Sequence, residues 1–177
     1  MPAQLTDIVA VLRNTPATLS ALLHDLSPAW THANYGPDTF SPFDVVGHLI
    51  HGEMTDWIPR LTIILEHGAA RPFEPFDRYA MYQLSEGRTM AELLDEFARH
   101  RAESLNALEG FNLSEADLAK TGMHPALGVV TARQLLAAWV AHDLNHIHQV
   151  AKAMAFQYRD AAQPFAAYLG VLKDFRS

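Results

Sequence analysis

The stretch that decides the fold is residues 131–159, TARQLLAAWVAHDLNHIHQVAKAMAFQYR. Thr131 followed three residues later by Gln134 is a capping box, the reciprocal pair that opens a helix. From Ala132 the apolar residues recur at helical spacing, and the pattern predicts a helix over about 132–159. Within it His142 and His146 are four residues apart. A helix turns about 100° per residue, so both fall on one face, the geometry that lets two imidazoles reach one metal ion. The same face carries Leu135, Ala138 and Trp139 before them and Gln149 and Ala153 after them. It is apolar, so the pair projects into a core. His148 points to the opposite side and reads as a surface residue.

Working outward, Ser41-Pro42-Phe43-Asp44 is a second helix start: a capping hydroxyl, proline at the first helical position and an acid at the positive end of the dipole. The pattern predicts a helix over about 42–67, bent at Pro59 and stopped by Gly68. It carries His48, with Val45, Gly52 and Thr55 on the same face and His51 at its edge. Glycine inside a helix costs about 1 kcal/mol relative to alanine. Gly52 therefore has two readings, space for a ligand beside His48 or close contact between helices.

A third helix is expected over 4–26, with Pro16 as a kink or break, and a fourth from the capping box of Thr89 and Glu92 to about 109, ended by Gly110. Ser114 and Asp117 suggest a short helical turn, and Pro164 starts a last helix, PFAAYLGVLKDF. Residues 27–43 and the stretch HPALGVV read as connectors. Residues 69–87 read as an ordered loop packed by its own aromatic rings, of the kind that lines or covers a site. No strand alternates convincingly. Four long helices give an all-α four-helix bundle with an ordered loop and short extra helices.

The 177 residues are the size of one domain, 1–177, with 49% hydrophobic and 19% charged residues, a globular composition. Thirteen Lys and Arg against twenty Asp and Glu leave a charge of −7, which disfavours nucleic acid and anionic lipid as partners. No run approaches about 18 apolar residues, and the N-terminus lacks the features of a signal peptide, so the expected location is the cytoplasm. There is no cysteine. Disulfides, thiolate nucleophiles and cysteine metal sites are thereby removed. The unusual count is histidine, at ten.

Three neutral imidazoles from His48, His142 and His146 make a tridentate site for zinc or another borderline divalent ion, with a position left open as in catalytic sites. The bland reading of each histidine is a core residue satisfied by a hydrogen bond. Asp143, Asn145, Gln149 and Asp56 are candidates to hold the imidazoles from behind, with a solvated carboxylate the alternative for Asp143. Trp57, Trp139, Tyr79 and Tyr82 are candidates to line the mouth of a site, or simply core.

The combination of Phe43-Asp44-Val45-Val46-Gly47-His48-Leu49 with Thr131-Ala132-Arg133-Gln134-Leu135-Leu136 and His142-Asp143-Leu144-Asn145-His146-Ile147-His148-Gln149 resembles the DinB-like (DinB/YfiT) superfamily across nearly the whole chain. The resemblance implies a four-helix bundle with a divalent metal at one end, held by His48, His142 and His146. Zinc and nickel lead as the ion, followed by iron and manganese. It implies a homodimer and a small-molecule substrate, in some members a low-molecular-weight thiol such as bacillithiol or mycothiol, in thiol transfer or isomerisation; an ion that activates water or a thiol suits thiol transfer or hydrolysis. His51 and His148 are additional to the pattern. His51 reads either as a pocket residue, an acid or base, or as an exposed helix residue. Beside the metal-dependent transferase or hydrolase stand two other readings, a non-catalytic metal-binding or stress-response bundle and a helical interaction protein whose histidines are core.

Overall fold

The computed structural model describes residues 4–173. Its helices are α1 (Leu5–Leu23), α2 (Pro28–Thr31), α3 (Pro42–Thr55), α4 (Trp57–His67), α5 (Met81–Ser85), α6 (Met90–Gly110), α7 (Glu115–Leu118) and α8 (Ala132–Phe156). Between α7 and α8 lies a hairpin, β1 (Thr121–His124) and β2 (Gly128–Thr131). The bundle is α1, α3 continued by α4, α6 and α8. Helix α3 packs against α6 and α8, and α1 packs against the same two. This is the all-α four-helix bundle expected from the sequence.

The capping boxes form as the sequence predicts. Ser41 pairs with Asp44, Thr89 with Glu92, Ser114 with Asp117 and Thr131 with Gln134, each with side chain and backbone amide exchanged reciprocally. Gly68 ends α4 at a φ of 59°, a left-handed conformation that suits glycine.

Pro16 does not break its helix, and Pro59 acts differently from expectation. Helix α1 runs unbroken through Pro16. Proline has no N–H to give the carbonyl four residues back, which is that of Leu12. That freed carbonyl accepts instead from Arg101 Nη1 at 2.8 Å. The helix from 42 is divided at Asp56 rather than bent at Pro59. A proline ring clashes with the carbonyl four residues earlier, here that of Thr55, but is tolerated in the first turn, where amides have no helical partner anyway. Ending α3 at Thr55 and restarting at Trp57 places Pro59 in that first turn.

Three other expectations are corrected. Residues 121–131, read as connector over HPALGVV, form the antiparallel hairpin, with Thr121 opposite Thr131 and His124 opposite Gly128. The Nδ1 of His124 accepts the amides of Ala126 and Leu127 and closes its turn. Strands of four residues are too short to show an alternation. The predicted helix from Pro164 is two 3₁₀ stretches, Phe165–Tyr168 and Gly170–Leu172, whose Phe165 and Tyr168 are exposed rather than packed. Its last residues, Asp174 and Phe175, lie outside the described residues. Helix α8 stops at Phe156, short of 159.

The core is two apolar clusters. One gathers Leu12, Trp57, Leu61, Leu105, Leu136 and Trp139, the other Leu19, Ile50, Leu93, Phe97 and Val150. Between them each bundle helix contributes buried polar groups: Thr15 on α1, Glu53 on α3, Arg101 on α6, and Asp143 with His146 on α8. The core is therefore divided by a polar layer.

The hairpin seats on α4 through Gly122. A Cβ there would meet Ile64 Cγ1 at 2.7 Å and Phe73 ring atoms at 2.8 Å. Gly122→Ala is expected to lower the urea unfolding midpoint, with unchanged slope, by about 1–3 kcal/mol of overpacking. An unaltered midpoint would show that the hairpin is loosely seated.

Candidate metal centre

His48 lies nearly two turns inside α3, which starts at the capping box of Ser41. His142 and His146 lie mid-way along α8. The packing of α3 on α8 turns these faces together. The Nε2 of His142 lies 3.1 Å from that of His48 and 3.0 Å from that of His146. Among the described residues these three are the group of side chains able to hold a metal ion.

The donor spacing fits such an ion. Zinc–nitrogen bonds of about 2.0–2.1 Å put two ligand nitrogens about 2.9 Å apart at a right angle and about 3.3 Å apart at the tetrahedral angle. The observed separations lie between those values. The chemistry of the donors fits as well. Burial pushes the pKa of His48 down to about 3 and that of His142 to about 2, with each ring further depressed by His146. His146 is also lowered by burial, against opposing effects of Gln149 and Asp143. The three imidazoles are neutral at neutral pH, the form that ligates.

Rings enclose the cluster. Phe40 lies 5.7 Å and Phe76 5.3 Å from the His48 ring, and Trp57 lies 5.1 Å edge-on to His142. Trp139 stacks behind Trp57 at 5.6 Å. Gly52 lies against this wall, where a Cβ would stand 3.4 Å from Trp57 Nε1. Of its two expected readings this is the contact between helices, made by the indole of α4 on α3. Trp57 is also one wall of a cavity of about 370 Å³ lined with Arg60, Phe73, His124, Leu135 and Ala138.

The remaining candidates separate. His51 is half-buried at the rim, 4.9 Å from Phe76, and burial lowers its pKa against the pull of Asp77. His148 and Asn145 are exposed. Gln149 lies beside His146. Asp56 pairs with Arg60 at 2.5 Å, and burial, opposed by Arg60, raises its pKa to about 6. Tyr79 and Tyr82 are exposed and stack on each other.

Asp143 is not solvated. It is fully buried and accepts from Thr15 Oγ1 at 2.6 Å and from Arg101 at 2.6 and 3.0 Å. Arg101, 1% exposed, also donates to Glu53 Oε1 at 2.7 and 3.1 Å, and Trp139 Nε1 donates to the same oxygen at 3.2 Å. Sequence reasoning missed Arg101, Glu53, Phe40 and Phe76. For Arg101 a signal existed: it continues the stripe Leu93, Leu94, Phe97, Ser104, Leu105 and Leu108 on α6, a charge in an apolar face.

The family model of the DinB superfamily matches residues 12–150. The chain belongs to the DinB superfamily. Its structure is similar to that of YfiT from Bacillus subtilis, with a TM-score of 0.73 and 20% sequence identity, covering 88% of this chain and 87% of that one. That protein is described as "a probable metal-dependent hydrolase with an unusual four-helix bundle topology". At this identity the likeness is one of fold. No curated protein matches the sequence. In this DinB-superfamily chain the helical bundle and the three-histidine group able to hold a metal ion occur together.

The nearness of Trp57 gives an optical test. Cobalt(II) added to metal-free protein is expected to quench tryptophan emission, and Trp57→Phe to remove a large part of that quench. An identical quench in the variant would place the bound ion away from His142.

Proposed function

We propose that the protein is a divalent-metal-dependent enzyme in which His48, His142 and His146 are the protein ligands. The observation that carries this reading is the convergence of the Nε2 atoms of three neutral imidazoles, two buried and one half-buried, within 3.0–3.1 Å steps. Zinc or nickel suits three imidazoles best, with iron and manganese next. Bound there, the ion would act as a Lewis acid and lower the pKa of a water or a thiol toward neutrality.

The chain's own residues do the rest. Three protein donors leave room for a further ligand. Phe40, Phe76 and Trp57 keep bulk water from the cluster and offer flat apolar faces to a small molecule. The cavity beside Trp57, with Phe73, Leu135 and Ala138 in its lining, would take an apolar body. The reaction classes this supports are transfer of a low-molecular-weight thiol to an electrophile and hydrolysis of a small ester or amide. YfiT, described as a hydrolase, favours the second.

We further propose that residues 1–177 act as one domain, in the cytoplasm, as a homodimer. No described helix is long and apolar enough to cross a membrane. Exposed Tyr158, Phe165 and Tyr168 beyond α8 offer apolar surface for a second copy.

Purification without a histidine tag, followed by elemental analysis, is expected to find a divalent ion that His142→Ala abolishes. The loaded protein is then expected to turn over in a panel of thiols with electrophiles and of small esters and amides. Protein free of metal, and unable to take it up, would refute the site. Metal without turnover on any member of the panel would refute the enzyme and leave a metal-binding bundle.

A further inference from the structure

The polar layer beneath the histidines has an uneven charge. One guanidinium, Arg101, faces two carboxylates, Glu53 and Asp143, and the three side chains are 0–2% exposed. Arg101 stays cationic: burial alone would lower its pKa, but Glu53 and Asp143 outweigh burial and raise it. Other charged and titratable groups around the layer and the histidines do not balance the excess: Arg13, which shares a cavity lining with Arg101, is paired with Glu109. Arg60 is taken by Asp56. His100, which feels Glu53, has its pKa lowered by burial and by Arg99. The three site imidazoles are neutral. Arg78, which acts on His48, sits on the exposed loop over Phe40 and Tyr79.

The hydrogen bonds locate the surplus. Glu53 Oε1 takes both Arg101 donors and Trp139, while its buried Oε2 has no hydrogen-bond partner among the described residues. Asp143 follows His142 directly in the chain, and its charge is felt by His146. Trp139, held by Glu53, stacks on the Trp57 that edges His142.

We infer that Glu53 and Asp143 are positioning residues for the metal, supplying buried negative charge that a divalent cation at the three histidines neutralises. A buried carboxylate without full compensation destabilises the metal-free bundle. A cation nearby relieves it, so the layer raises metal affinity and makes metal binding stabilise the fold. Thr15 and the Leu12 carbonyl freed by Pro16 fix the layer's geometry without adding charge. This inference rests on the metal site proposed above.

The test measures the dissociation constant for zinc and the melting temperature with and without zinc in the whole chain. Glu53→Gln keeps the accepting oxygen and puts an amide at the unpartnered one. It is expected to weaken zinc binding several-fold, to leave the metal-free melting temperature unchanged or higher, and to shrink the rise on adding zinc. Asp143→Asn, next to His142 in the chain, is expected to weaken zinc binding several-fold as well. Thr15→Val, which removes a hydrogen bond but no charge, is expected to lower both melting temperatures and keep the zinc affinity within about twofold. A merely structural layer would lower both temperatures in every variant and leave the rise on zinc intact, and that result would overturn the inference. If Asp143→Asn does not fold, Glu53→Gln decides alone. Wild-type protein that takes up no zinc or other divalent ion refutes the metal site itself, whereas normal uptake by both charge variants refutes only the inference.

Discussion

The guanidinium of Arg101 is where the four bundle helices meet. It binds the Leu12 carbonyl of α1, Glu53 of α3 and Asp143 of α8 from its own place on α6. A buried ionic layer adds little net stability compared with apolar packing, but loss of its one guanidinium would strand both carboxylates at a cost of about 3–5 kcal/mol. Sliding α3, α6 or α8 by one turn would part the guanidinium from a carboxylate, and sliding α1 would leave Arg101 without the Leu12 carbonyl and Asp143 without Thr15. The layer therefore fixes the register of the helices along the bundle, which the interchangeable leucines above and below it do not. That register sets His48 of α3 level with His142 and His146 of α8. Pro16 takes part in it, because the N–H it lacks is the one that would otherwise occupy the Leu12 carbonyl.

The division of the second helix at Asp56 shapes the site in a different way. A continuous helix would carry Trp57 onward along the path of α3. Restarting at Trp57 sets its indole over Gly52, between Trp139 and the ring of His142. One backbone irregularity forced by Pro59 thus builds the apolar wall beside the histidines and one side of the neighbouring cavity. The loop after α4 completes the enclosure with Phe76, and the hairpin anchors that loop by pairing Pro72 with Met123.

Much of this is readable residue by residue. The capping boxes mark three of the four long bundle helices and the short α7, because each depends on two residues three apart and on nothing distant. The four-residue spacing of His142 and His146 determines that they share a face, and the apolar company of that face determines that it turns inward. The hairpin was not readable, since its strands are short and held by pairing and by contact with Ile64 and Phe73. The exposed 3₁₀ stretches after Pro164 show the converse: apolar residues at helical spacing form a long helix only where another element covers them.

What the sequence determined by itself was local: the helices, their inward faces and the histidines upon them, because these follow from periodicities and caps spanning a few residues. The tertiary structure decided how those faces meet. It alone brought His48 to His142 across 94 positions, buried Asp143 against a guanidinium from a third helix, and set Trp57 at the wall. The physical reason is that pairing between distant charges and rings depends on which helices become neighbours and at what register, and no short-range pattern encodes either.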